Sequence, residues 1–299
     1  MSDEYDILSD LINTEDKKLL NEVLADKKIT LIQEKTLEEK HWYFKYRIKA
    51  HKKIIKNFVK GEDIDILDIG VGTGTLSKFL EKKGNCVHVD MLDEVIDFNS
   101  DLEIIKGFFP WGIDLPDKKY DYILLFNFLE YNDTPRWILE IAKSKLKPNG
   151  KIIITTQAGQ DLTVNDKFYG IKRRYKMEEI QKMMNDLGLK EVYGSYFEGH
   201  SLQVQVKDAL NKMFDEATVY WNKIPQNNDE IYNYLLDKDL YYLCKQKLTQ
   251  GNQIVFVAEI MTEKEKEKLS IKRQNDNKKV SLIDRAIEMY AKSKENKQQ

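Results

Sequence analysis

With 299 residues, 48 basic against 50 acidic side chains and 33% charged residues, the chain has room for one large domain with attachments and no net charge that would draw it to nucleic acid or an anionic membrane. Its two cysteines, Cys86 and Cys244, are too few for a disulfide scaffold or a cysteine-built metal site. No stretch approaches the roughly 20 apolar residues of a membrane helix, and the acidic opening MSDEYDILSD lacks a signal-peptide core, so a cytoplasmic protein is expected.

Residues 1–36 read as an N-terminal extension. Ile7, Leu8, Leu11 and Ile12, then Leu19, Leu20, Val23 and Leu24, recur at helical spacing and predict one or two short amphipathic helices. The main domain runs from 37 to 261. It opens with a helix over 37–60 that is rich in aromatic and basic residues; within and after it, His51 and His88 are assigned to surface or packing. Ile64, Ile66, Leu67 and Ile69 form a short apolar run, as in a strand buried on both faces of a parallel sheet. Gly70, Gly72 and Gly74 follow, then a helix over Thr75–Lys83 that Gly84-Asn85 is expected to stop with a left-handed cap. Cys86, Val87 and Val89 make a second strand ending on Asp90.

Further along, the pattern predicts a short helix over Leu92–Phe98, a strand over Leu102–Lys106, a turn and strand over Asp117–Asn127 and a helix over Thr134–Lys147. A fifth strand, a helix and a sixth strand follow. Residues 199–251 then form an insertion read as two helices, Leu202–Trp221 and Glu230–Leu248, ahead of the strand NQIVFVAEI. Residues 262–299 are a charged tail, disordered in its first half by composition, with a stripe of Leu282, Ile283, Ala286, Ile287 and Tyr290 suggesting a short amphipathic helix. This alternation of strands and helices predicts a doubly wound α/β domain.

The chemistry concentrates on Ile64–Asp90. Glycines let a ligand approach the backbone, and a helix N-terminus behind them presents N–H groups and partial positive charge. An acid at the tip of the second strand can accept from a ribose diol, and Asp90 lies twenty residues after Gly70, about the spacing such recognition needs. A nucleoside with an anionic or zwitterionic arm fits. Thr75 stands where a dinucleotide fingerprint would carry its third glycine, which counts against a nicotinamide dehydrogenase.

The text LDIGVGTG with its downstream acid resembles motif I of the class I S-adenosylmethionine-dependent methyltransferases. EEKHWYFKYR resembles the E-x-x-H-W-W-F-x-x-R segment of a bacterial small-molecule subgroup of that family, with Tyr43 in place of the second Trp. FNFLEYND resembles the subgroup's V-L-E-H text, with Tyr131 in place of the His; LKPNGKIIITT resembles the turn into the fifth strand; and IKRRY resembles G-H-x-R-R-Y, with Ile171 in place of the His. The resemblance implies a Rossmann-like fold with a seven-stranded, mostly parallel sheet and a helical insertion between strands six and seven.

It also implies a site. Trp42, Tyr43, Arg47, Gly70, Gly72, Thr73, Gly74, Asp90, Met91, Phe108, Phe109 and Asn127 are the cofactor-side candidates, with His41 beside them. Asn127, Glu130 and Tyr131 border the methyl-transfer centre; an unperturbed tyrosine, with a pKa of about 10, is a poor base near neutral pH. Tyr169, Arg174, Tyr175 and His200 are substrate-side candidates. The paired Arg173 and Arg174 can fix a carboxylate or phosphate, or serve a structural ion pair. The expected activity is S-adenosylmethionine-dependent methylation of an oxygen or nitrogen of a small molecule, with no metal. A cofactor-binding partner subunit without transfer activity, and a protein or RNA methyltransferase, remain alternatives. The acceptor and oligomeric state are not legible.

Overall fold

The structure is a computed structural model that describes residues 31–111, 113–162, 166, 170–198, 233, 236 and 240–275. The helices expected in 1–30, most of those in the 199–251 insertion and the stripe at 282–290 lie outside the described residues.

Seven strands form one sheet: β1 (Asp65–Ile69), β2 (Asn85–Asp90), β3 (Ile104–Lys106), β4 (Tyr120–Phe126), β5 (Leu146–Gln157), β6 (Leu189–Phe197) and β7 (Gln253–Ile260). Their order is β3-β2-β1-β4-β5-β7-β6, and β7 alone runs against the others. This is the expected class I methyltransferase fold, an α/β domain with a mostly parallel seven-stranded sheet.

The apolar runs of the strands are explained by helices on both faces. Successive side chains alternate. Ile66, Leu124, Val255 and Val257 face one core, where Tyr46, Ala50, Ile54 and Ile55 of helix α2 (Trp42–Phe58) cover them. Leu67, Ile69, Ile123, Leu125 and Phe256 face the other, under Ile138 and Leu139 of α5 (Pro135–Ser144) and Ile180 and Met184 of α6 (Met177–Asp186). The shorter helices α3 (Ser77–Leu80) and α4 (Asp93–Phe98) follow β1 and β2.

Four local expectations are corrected. The helix over 37–60 is two helices, α1 (Leu31–Lys40) and α2, broken at His41. His41 is extended (φ −84°, ψ 128°), and its Nδ1 accepts the Tyr43 N–H at 3.2 Å, a side-chain cap that competes with continuing the helix. Gly84 is no left-handed cap; a Cβ there would stand 2.3 Å from the Ile64 carbonyl oxygen, so close approach of two backbones requires the glycine. The helix it follows is also shorter than expected. Finally, residues 263–275 form a helix, α7, where composition suggests disorder. Thr262-Glu263-Lys264-Glu265 is a capping box, in which Glu265 accepts the Thr262 N–H at 2.8 Å. Lys190 to Glu265 (2.7 Å) and Arg273 to Asp186 (2.6 Å) tie α7 to the domain.

These contacts separate the glycines. Gly84→Ala should cost about 1–3 kcal/mol of stability through overpacking, whereas Gly72→Ala, whose Cβ would meet no atom within 4 Å, should cost about 1–2 kcal/mol through its positive φ alone. Urea unfolding of the full chain checks this, and wild-type stability in Gly84→Ala would contradict the close approach.

Candidate active site

Where the strand order turns back, the carboxyl ends of β1 and β4 lie side by side, and an open α/β sheet leaves its crevice there. Gly70 follows β1 and Asn127 follows β4.

On the β1 side, Gly70, Gly72 and Gly74 all adopt left-handed backbone, with φ of 89°, 53° and 72°. Their N–H and C=O groups thus turn in a way a chain of L side chains would resist. Asn99 donates to the Gly72 carbonyl at 2.9 Å and fixes the loop from below. The Asp90 carboxylate is held at both oxygens by backbone: Oδ2 accepts the Val71 N–H at 2.9 Å and Oδ1 the Leu92 N–H at 3.1 Å. A carboxylate has about four lone-pair sites, so capacity remains for a diol. Thr73 donates to Glu38 of α1 at 2.7 Å, and Thr75 donates to the same carboxylate. Helix α1 therefore crosses the glycine loop. Beneath it, buried Asp68 accepts from Ser77 at 2.6 Å and pairs with His88 at 2.9 Å, so His88 is packing, as expected.

The β4 side carries a buried polar network. Asn127 is left-handed (φ 48°), a conformation Asn tolerates better than most residues. Its Oδ1 accepts from Arg47 Nη2 at 3.0 Å, and its Nδ2 donates to Glu130 at 3.0 Å and to Gln253 at 2.9 Å. The other Glu130 oxygen accepts from Thr156 at 2.8 Å. Arg47 Nε lies 3.5 Å from Glu198, which also accepts from the Tyr43 hydroxyl at 3.1 Å. Burial, then the Glu198 carboxylate, pushes the Tyr43 phenol up, so it stays a donor. Burial likewise raises Glu130.

His51 completes the network. Its Nδ1 faces the Arg47 carbonyl at 2.8 Å, which can only accept, so Nδ1 carries the proton. Nε2 then accepts from Thr155 at 3.0 Å, whose oxygen takes the Asn127 N–H at 3.2 Å. Burial, with Arg47 adding to it, lowers His51 to about 4, consistent with this neutral tautomer.

The structure thus brings Tyr43, Arg47, Asn127 and Glu130 together. Trp42 is buried and stacks on His41 at 5.5 Å. Met91 is exposed just beyond Asp90. Phe108 is exposed and stacks on Trp111 with centroids 5.5 Å apart and planes 6° from parallel, whereas Phe109 is buried in the core under the sheet. Tyr131 is exposed on the turn after β4. Tyr175 is fully buried, its hydroxyl donating to the Leu129 carbonyl at 3.2 Å. Arg174 grips Asp166 through two bonds, 2.7 and 2.9 Å, and the Ala158 carbonyl at 2.8 Å, the structural ion pair of the two readings. Tyr169 and His200 lie outside the described residues. Glu38, Trp111, Thr155, Thr156, Glu198 and Gln253 were not singled out from sequence. Glu198 and Gln253 stand at the ends of β6 and β7 with no motif around them; the E-x-x-H text around Glu38 was the one available signal. Among the described residues no cluster of three or more His, Cys, Asp or Glu is disposed to hold a metal, and no helix is long and apolar enough to cross a membrane.

Comparisons with known proteins bear on the fold and the family. The methyltransferase-domain family matches residues 42–217. The chain belongs to this methyltransferase family. The chain is also 30% identical over 169 residues to the uncharacterized protein MJ1123 of Methanocaldococcus jannaschii, a match spanning 53% of this chain and 78% of that protein. Its fold resembles a chain of a solved complex containing the Haloferax volcanii Trm112 methyltransferase activator (17% identity, TM-score 0.50, covering 78% of this chain and 95% of that one). A solved SAM-dependent methyltransferase from Archaeoglobus fulgidus aligns at 20% identity and TM-score 0.47 over 71% of this chain and 92% of its own.

The buried imidazole of the methyltransferase domain sets a pH dependence. The unfolded chain protonates His51 near 6.5 and the folded chain near 4, so the stability it contributes above pH 6.5 is lost as pH falls towards 4, by at most about 1.4 kcal/mol per pH unit. Glu130 acts in the opposite sense, since a raised carboxyl favours the folded state on acidification. Denaturant unfolding from pH 7 to 4.5 should show a shallower acid limb in His51→Gln than in wild type; parallel limbs would mean that His51 protonates within the folded protein.

Proposed function

We propose that this chain is an S-adenosylmethionine-dependent methyltransferase acting on an oxygen or nitrogen of a small molecule. One observation carries the reading: the three left-handed glycines and the Asp90 carboxylate stand on neighbouring strand ends, with open space where a Cβ at Gly72 would point. That combination suits a nucleoside with a polar arm. Asp90, pinned by Val71 and Leu92, would accept from the ribose. Phe108 and Trp111, next to it across the β2–β3 pair, offer an exposed aromatic surface for a base. The cofactor supplies an activated methyl group, so the protein's task is chiefly positioning.

Arg47, Asn127 and Glu130 then act as the rigid floor of the transfer site. Asn127 has both of its polar atoms bonded within the protein, and Glu130 both of its oxygens. This favours a role in shaping the site over direct proton transfer. The same observation supports a second reading, a cofactor-binding subunit without transfer activity.

Calorimetric titration of S-adenosylmethionine and its demethylated product should show binding by wild type. Asp90→Ala should weaken it by about 1.5–3 kcal/mol, the worth of a hydrogen bond to a charged acceptor. No binding by a folded wild-type sample would sink the reading. Binding without turnover across acceptor classes would favour the partner-subunit alternative.

A further inference from the structure

The paired arginines do different work. Arg174 is consumed by Asp166 and the Ala158 carbonyl. Lys172 pairs with Asp133. Arg173 has no hydrogen bond or ion pair through its side chain to any described residue, and its Nε is shielded from solvent without a partner. Its guanidinium instead lies over the Tyr175 ring, 4.6 Å from the centroid. Tyr175 is itself locked, buried and bonded to the Leu129 carbonyl. Arg173 is thus a preoriented cation with its donors unused.

It lines a cleft of about 350 Å³ together with Asn132, Asp133, Gln160, Lys172, Arg174 and Glu179. Of the carboxylates on that cleft, Asp133 is engaged by Lys172, and Glu179 accepts the Lys176 N–H at 2.8 Å. Arg173 and Glu179 are thus the two charges on the cleft without an ion-pair partner among the described residues, and Arg173 alone has its side-chain donors unused.

The cleft adjoins the transfer site. Asn132 and Asp133 follow the turn Leu129–Tyr131, and the Glu130 carbonyl in that turn accepts the N–H groups of Lys172 at 2.8 Å and Arg173 at 3.3 Å. The Glu130 side chain meanwhile holds Asn127. A single turn therefore connects the free guanidinium with the floor of the site.

We infer that Arg173 binds an oxyanion, a carboxylate or phosphate, carried by the methyl acceptor. Its planar fork matches either group. The inference rests on the methyltransferase reading and extends it from an unspecified small molecule to an anionic one.

The test uses the full chain and two probes, inorganic phosphate and acetate, titrated separately while the side-chain amides of Asn132 and Gln160 are followed by NMR. Saturable shifts are expected in wild type with at least one probe, and which probe saturates names the group. Affinity should fall about tenfold or more in Arg173→Gln, the loss of charged hydrogen bonds. Arg173→Lys should retain weakened binding. Lys118→Gln, the same charge change at the opposite, amino end of β4, should leave affinity within about twofold, because a charge a strand's length away is screened. Shifts that never saturate, or equal affinity in wild type and Arg173→Gln, overturn the inference. S-adenosylmethionine binding measured on the same samples separates the two readings. Cofactor binding without anion saturation sinks only the subsite. Anion saturation without cofactor binding overturns the assignment of the anion to a methyl acceptor.

Discussion

The arrangement of the site depends on burying charge at the tip of β4. Arg47, Glu130 and Glu198 are removed from water to different degrees, and the two carboxylates are fully covered. Such groups are costly unless each finds partners. Asn127 is the residue that makes the arrangement possible. Its carbonyl oxygen takes the cation and its amino group takes Glu130 and Gln253, so one side chain satisfies neighbours of opposite demand. Because Arg47 only donates and an ionised carboxylate only accepts, the amide has one allowed orientation. Its left-handed backbone is held by bonds from its N–H to the Thr155 carbonyl and hydroxyl.

That hub joins helices and strands that share no local sequence. Tyr43, Arg47 and His51 come from α2, Thr155 and Thr156 from the end of β5, Glu198 from just past β6, and Gln253 from the start of β7. The position of α2 against the sheet is therefore set twice, by apolar packing of Tyr46, Ile54 and Ile55 and by polar bonds at its amino end. Helix α1, turned off α2 at His41, reaches the glycine loop through Glu38. The glycine loop and the Asn127 network are thus coupled through one pair of helices.

The cleft beside the site follows the same logic in reverse. Within the site Asn127 and Glu130 have their polar atoms bonded, although Gln253 Nε2 has no hydrogen-bond partner among the described residues; Arg173 keeps its donors unmatched while its guanidinium lies over the Tyr175 ring. Unused capacity on a fixed group suits recognition of something brought from outside.

Much of the fold was legible because its signals are local. Short apolar runs marked strands covered on both faces, and the left-handed glycine loop and Asp90 at the neighbouring strand end were legible too, since backbone conformation and strand-end spacing are written within some twenty-odd residues of chain. Asn127 and Glu130 were legible as candidates through the β4 text, and Arg47 through the aromatic helix, and the three side chains do meet. Their partners were not. Glu198 lies 155 residues from Tyr43, and Gln253 lies 126 from Asn127, so only the pairing of β7 between β5 and β6 brings them together. The same holds for the two arginines. Arg174 was the substrate-side candidate from sequence, yet folding sets Asp166 against it and an aromatic ring beneath its neighbour Arg173.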